Sequence, residues 1–281
     1  MCIQGFQLIR RKSVKKLTSF LFLFFFVAGC ARPEVTPTPQ PRTSILIKEQ
    51  DKILAEIERH RPFISSLQGT AKVEMYRQKL RVAGKQEIAI KTPGYMYVET
   101  INPFGSMVSL LVADNSSLKF YDSSTNKLYT GRPVAGDLSK LFPIYLDVSE
   151  VVNLALYQTR IPPCDRRLIY FEQQENWYRV ICINHRIRRE FWVDPTDFFL
   201  WKQVLYVDDQ LQLKITYKNV QKIGEGVFPY ETILDFPPEE SAFVYKWSEI
   251  DINPDIPKSK FTIPQFENVE KVNLAAPLPM E

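Results

Sequence analysis

Apolar and charged residues take turns along Ala71-Lys72-Val73-Glu74-Met75, and that two-residue period recurs over most of the chain. Leu80, Val82, Ile88 and Ile90 oppose Arg81, Lys85, Glu87 and Lys91 across Gly84. Side chains of a strand alternate between faces, so such a segment puts its apolar residues on one side and its charges on the other. Further strand-like runs cover about 95–101, 107–113, 118–121 and 127–130. Asn115-Ser116-Ser117 and Ser123-Ser124-Thr125-Asn126 lie between them as turns. The runs resume at about 167–172, 177–183, 186–193, 199–207, 210–218, 227–235 and 242–250, with Asp194-Pro195-Thr196-Asp197 and Asp208-Asp209 as turn signals. The expectation is a mainly β fold of about 11–12 antiparallel strands in one domain, with one face of the sheet covered.

Helical periodicity shows in three places. Residues 44–61 carry Leu46, Ile53, Leu54 and Ile57 as one apolar stripe, with Thr43 or Ser44 as the cap and Pro62 beyond the end. Asp137–Tyr145 and Val148–Tyr157 read as two short helices, with Pro143 and Asp147 near the break. Their apolar content, including Leu138, Phe142, Val152 and Leu156, calls for burial against the sheet.

The N-terminus points to export. Arg10, Arg11, Lys12, Lys15 and Lys16 precede an apolar run from Leu17 to Val27, then Ala28 and Gly29 before Cys30. A basic start, a short apolar core and a small-residue exit make up a secretory signal. The run has about eleven residues where a membrane span needs about twenty. Val27-Ala28-Gly29-Cys30 resembles the bacterial lipobox, which implies lipid on Cys30 and a membrane anchor. The expected organisation is a signal peptide over 1–29, the lipidated Cys30 with a Pro-rich tether over 30–43, a domain over 44–270 and a loose tail over 271–281. Pro33, Pro37, Pro39 and Pro41 favour an extended tether reaching roughly 30 Å. Export also permits Cys164 and Cys182, which flank an expected hairpin, to bridge; two buried thiols are the alternative.

Charge and motif exclude several functions. The chain carries +4, but five of its 36 Lys/Arg and none of its 32 Asp/Glu precede Cys30, so the remainder stands at −1. No basic field is left for nucleic acid. The two histidines, His60 and His185, and the cysteines show no metal-ligand spacing. No nucleophile elbow, phosphate-binding glycine loop or His-Glu-x-x-His pattern occurs. We therefore expect no catalysis, no cofactor and no metal. Aromatic excess stands out instead, with 19 Phe, 13 Tyr and 4 Trp. Walls of that kind enclose either a solid core or an apolar cavity.

Tyr97-Val98-Glu99-Thr100-Ile101-Asn102-Pro103-Phe104-Gly105-Ser106 resembles a strand-turn segment of the LolB family of outer-membrane lipoprotein receptors, where the turn reads Asn-Pro-Leu-Gly-Ser. The strand Met107–Ala113, the strand around Tyr129 and the segment Leu138 to Pro162 follow in the same order. The resemblance covers about 110 residues; the second half, with Phe191-Trp192-Val193-Asp194-Pro195, is similar to the broader group of LolA/LolB-fold lipoproteins. It implies an unclosed, curved antiparallel β-barrel whose helices cover an apolar concave face. It implies binding of lipoprotein acyl chains or another lipid, an exchange with a periplasmic LolA-like carrier, and a monomer. The turn Pro103, Phe104 and Gly105 becomes the membrane-insertion loop, with Phe104 as the protruding residue. Ala31 and Arg32 after the lipidated cysteine favour the outer membrane, facing the periplasm. The alternatives are a lipid- or lipoprotein-sensing module with a protein partner, and a structural lipoprotein with a solid core.

Overall fold

A computed structural model describes residues 44–275 apart from 143, 145, 224 and 225. The signal segment, Cys30, the tether, Pro143, the Gly224-Glu225 turn and residues 276–281 lie outside the described residues.

The strands are β1 (Ser44–Leu46), β2 (Ser66–Arg77), β3 (Leu80–Lys91), β4 (Tyr95–Ile101), β5 (Met107–Ala113), β6 (Leu118–Asp122), β7 (Lys127–Gly131), β8 (Arg166–Glu172), β9 (Trp177–Asn184), β10 (Ile187–Val193), β11 (Leu200–Val207), β12 (Gln210–Ile223), β13 (Gly226–Phe236), β14 (Ser241–Ile252) and β15 (Glu270–Asn273). The helices are α1 (Gln50–His60), α2 (Ala135–Leu138) and α3 (Val148–Ala155). All fifteen strands form one curved, unclosed sheet in the order β1-β8-β9-β10-β11-β12-β13-β14-β2-β3-β4-β5-β6-β7-β15. Consecutive strands pair antiparallel within β2–β7 and within β8–β14, and the long-range closure is β14 against β2.

The described sheet has fifteen strands against the expected 11–12: thirteen match the alternating runs of the sequence, and two segments read otherwise extend its ends. Residues 44–46, expected at the start of a helix, pair with Glu172–Tyr170 on β8, and Ser44 Oγ donates to Glu172 at 2.5 Å. The edge of β8 offers unpaired backbone groups, and Ile45 and Leu46 stay exposed, so the apolar stripe that makes a helix begins only at Ile53. Glu49, not Thr43 or Ser44, stands at the N-cap of α1. Ile53, Leu54 and Ile57 pack on the core as expected. The helix stops at His60 because Arg61, preceding Pro62, takes an extended conformation.

The other edge is not antiparallel. β15 runs parallel to β7, and Leu274 just after it is fully buried. The chain expected to be loose is thus packed as far as Ala275, anchored also by Ile256 and Phe261. That arm overturns a second expectation, the sheet covered on one face only. Ala89, Leu110 and Val112 point away from the main core, and Ile256 and Phe261 bury them in a second apolar cluster. β5 reads Met-Val-Ser-Leu-Leu-Val-Ala, apolar at successive positions, because both its faces are covered here.

The helical interlude is shorter than its apolar pattern suggests. α2 keeps four residues of the Asp137–Tyr145 stretch and its lead-in, and α3 ends at Ala155. Asp147 starts α3 with a capping box: its carboxylate accepts from Glu150 N at 2.8 Å, and Glu150 Oε2 accepts from Asp147 N at 3.0 Å. Glycine is obligatory at one strand position. β14 bulges between Trp247 and Glu249, and a Cβ on Gly69 would sit 2.1 Å from the Glu249 carbonyl oxygen.

Candidate functional site

The inner face of β2–β5 and β13–β14 does not fill its own concavity. Cross-strand partners Ile88 and Val98, Val98 and Leu111, and Met75 and Phe243 stand directly opposite each other and so share one face. With Leu234 and Trp247 they line a cavity of about 370 Å³. Leu138, Phe142, Val151 and Leu154, from α2, α3 and the chain between them, line it as well. α3 turns Val148 and Val152 into the packed core while Val151, Leu154 and Ala155 meet the space. This division follows from helical spacing.

Few polar groups reach this cavity. Gln86 Nε2 donates to Thr100 Oγ1 at 3.1 Å, whereas Gln86 Oε1 is buried without a partner among the described residues. Burial pushes the Tyr245 phenol on the cavity wall up to about 12, so it stays neutral. Val82 and Val108 line the cavity and are also exposed, which opens it near the β4–β5 turn.

At that turn the sequence motif has a defined geometry. Asn102 Oδ1 accepts from Phe104 N at 2.9 Å and Ser106 N at 3.0 Å, and Gly105 N donates to the Asn102 carbonyl at 3.0 Å. Gly105 adopts φ +85°, which a side chain would strain. Between Pro103 and Gly105, Phe104 stands 92% exposed. Leu80 on the neighbouring hairpin is exposed as well.

A second cavity of about 490 Å³ lies on the other side of α3, against β10–β12. Leu146 and Leu154 line both cavities. Its wall mixes Phe191, Leu205 and Leu213 with Arg61, Arg160 and Arg189. Sequence reading did not find this space, because its polar residues come from the chain after α1, from α3 and the chain after it, and from β10 and β11, with no motif to join them.

Beyond it the core is solid. Tyr157 stacks on Phe199 with centroids 4.9 Å apart and meets Tyr217 edge-on at 4.9 Å. Its hydroxyl donates to the Leu200 carbonyl at 3.1 Å and accepts from Leu200 N at 2.7 Å. Burial raises the Tyr157 phenol well above its ordinary value and pushes Tyr217 up to about 12. Cys164 and Cys182 are joined as a disulfide with Cα atoms 5.4 Å apart, tying the approach to β8 onto β9. Of the two histidines, His60 stacks on Phe198 at 4.9 Å and His185 sits exposed in a turn. No group of three or more His, Cys, Asp or Glu among the described residues is placed to hold a metal.

The sequence matches no family model and no curated protein. The fold, however, is shared with solved structures. A putative outer-membrane lipoprotein-sorting protein domain from Vibrio parahaemolyticus superposes with a TM-score of 0.50 at 9% identity, covering 75% of this chain and 94% of that one. A DUF1329 family protein from Desulfovibrio piger gives 0.52 at 13% identity, with 75% and 95% covered. A LolA superfamily protein from Nitrosomonas europaea gives 0.48 at 14% identity, over 76% and 97%. The class defined by sheet and cavity is therefore an unclosed, curved antiparallel half-barrel, a fold it shares with the Vibrio and Desulfovibrio structures. Within that class, the likeness extends to fold alone.

Proposed function

We propose that this chain is an exported, lipid-anchored protein that shelters acyl chains of a lipoprotein or other lipid in its apolar cavity. It acts as a receptor or chaperone at the periplasmic side of the outer membrane. The observation that carries the reading is the cavity of about 370 Å³ walled by Val, Ile, Leu, Met and Phe side chains. Apolar cavities of even ~150 Å³ stay dry and take small hydrocarbons, and ligand sites begin near ~300 Å³. Each methylene moved from water into such a space gains about 0.8 kcal/mol. An acyl chain therefore fits both in size and in chemistry. α2 and α3 serve as the cover of the concave face, since their apolar residues supply one wall.

The lipidated Cys30 holds the domain at the membrane, and the Pro-rich tether sets its reach. Cargo arrives from a soluble periplasmic carrier and leaves near Phe104. No covalent step is needed, only a rising order of affinity from carrier to receptor to bilayer. The exposed Phe104, stiffened by Pro103 and positioned by Gly105, enters the membrane interface, where aromatic side chains are favoured. The protein works as a monomer in this scheme.

Depletion of the protein followed by membrane fractionation tests the reading. Acylated lipoproteins should accumulate away from the outer membrane, and normal sorting would overturn the receptor role. Ala155→Trp, which fills the cavity from α3, should reproduce the defect. Phe104→Glu should spare photo-crosslinking of an acyl probe to the cavity while slowing delivery; unchanged delivery removes the role given to the turn.

A further inference from the structure

The two cavities touch at Leu146 and Leu154 but differ in chemistry, and β10 shows why. Its alternation sends Arg188, Glu190 and Trp192 to one face and Arg189, Phe191 and Val193 to the other, the face of the core. On the outer face the guanidinium groups are matched with acids. Arg179 meets Glu190 at 2.8 Å and Glu172 at 3.4 Å, and Arg188 meets Asp209 at 3.3 Å. Arg189 is half-buried on the core face, lines the second cavity, and has no carboxylate partner among the described residues. A guanidinium drawn out of water without a counter-ion is costly unless an anion joins it.

The rest of that wall has the same sign. Arg61 and Arg160 line it and share one acid, Glu58, at 2.6 and 3.8 Å. Glu150 is the one carboxylate in the lining of the cavity among the described residues, and it is committed to the α3 cap.

We propose that the second cavity receives the phosphate or carboxylate head of an amphiphile whose chain passes Leu154 into the apolar cavity, with Arg189 as the head's partner. The inference rests on the acyl-chain reading given above. Planar, permanently charged arginine suits two-point contact with either anion, and such contacts are stronger than neutral hydrogen bonds. The ligand class is thus an anionic lipid or acylated molecule with its charge close to the chain.

The full chain in nanodiscs of neutral phosphatidylcholine provides the test. Two photoreactive probes with the same chain, dodecyl phosphate and dodecyl glucoside, are titrated, and labelling of Leu80–Lys91 and Ile187–Val193 is read by mass spectrometry. Dodecyl phosphate should saturate at roughly tenfold lower concentration than the glucoside. Arg189→Gln should abolish that advantage and leave glucoside labelling unchanged, which also shows that the variant is folded. Equal saturation of the two probes, or an advantage that survives in Arg189→Gln, overturns the head-group site while leaving the acyl cavity intact. Inorganic phosphate displacing the phosphate probe at matching concentrations would make this a free-anion site and defeat the amphiphile claim. Absence of labelling by either probe would remove the acyl-chain reading and this one with it.

Discussion

Each half of the sheet holds a cavity, but only one half also carries a stretch packed solid with aromatic rings. In the half built on β8–β12, beyond the second cavity, the concave face is filled by interlocking rings: Tyr157, Phe199, Trp201 and Tyr217 touch in stacked or edge-on pairs. Around β2–β5 and β13–β14 the wall is built of aliphatic side chains that stop short of one another and leave an apolar space. Both halves obey the same two-residue alternation, so the pattern that makes the sheet does not decide whether its hollow is filled. Ring size and the side chains that α3 contributes decide it. A stacked Tyr–Phe pair spans a distance that Val, Ile and Met cannot, and α3 faces the filled side with Val152 and the hollow side with Val151 and Leu154.

Truncation should separate the halves most sharply. Tyr217→Ala, fully buried and in contact with Tyr157, should cost about 3–5 kcal/mol through the cavity it leaves. Phe120→Ala, half-buried on the wall of the existing cavity, should cost about 1.5 kcal/mol, because one side of that ring already lacks partners. Urea denaturation measures both, and equal losses would erase the distinction between filled and hollow.

A smaller effect is expected at the shared wall. Asp147→Ala removes the side-chain cap of α3 and should destabilise it by about 1 kcal/mol. Hydrogen exchange should quicken in α3 while β10–β12 keep their protection. If α3 exchange stays unchanged, the helix is held by packing alone and its cap is dispensable to either cavity.

The mildest test is acid. On the outer face of the hollow half, hydrogen bonds from Tyr76, Lys72 and Arg81 hold the Glu74 carboxyl at about 2, down from 4.5. A carboxylate depressed on folding adds stability that is complete above its unfolded value and disappears as the pH falls through its folded value. The melting temperature should therefore drop between pH 4.5 and about 2, and part of that drop should vanish in Glu74→Gln. An unaltered acid slope in the variant would show that the cluster contributes nothing. Because its partners Lys72 and Arg81 are exposed, solvent screening should keep the effect modest.

The strands of the sheet were legible residue by residue wherever one face is wet, as in Ala71–Met75, because alternation is a local record of which side faces water. β4 and β5 came out with their observed ends, bounded by the Asn102–Ser106 turn that the chain spells out. Phe104 was marked by its place in the Asn102–Ser106 turn, but that it stands out rather than folding back onto the sheet is seen only in the fold, where it is 92% exposed. What local pattern could not supply was contact between distant segments. The edge strand at Ser44–Leu46, the parallel β15 and the arm that buries Ala89 and Leu110 each exist because another part of the chain offers unpaired backbone or bare apolar surface. Arg189 has the same lesson: in sequence it is one of several arginines among charged neighbours, and only the fold puts it inward, with no carboxylate partner among the described residues. The hollow belongs to tertiary structure as well. Sequence set the kinds of side chain that wall the sheet, but whether they meet across it depends on curvature, ring size and the placement of α3, all of them distances between residues far apart in the chain.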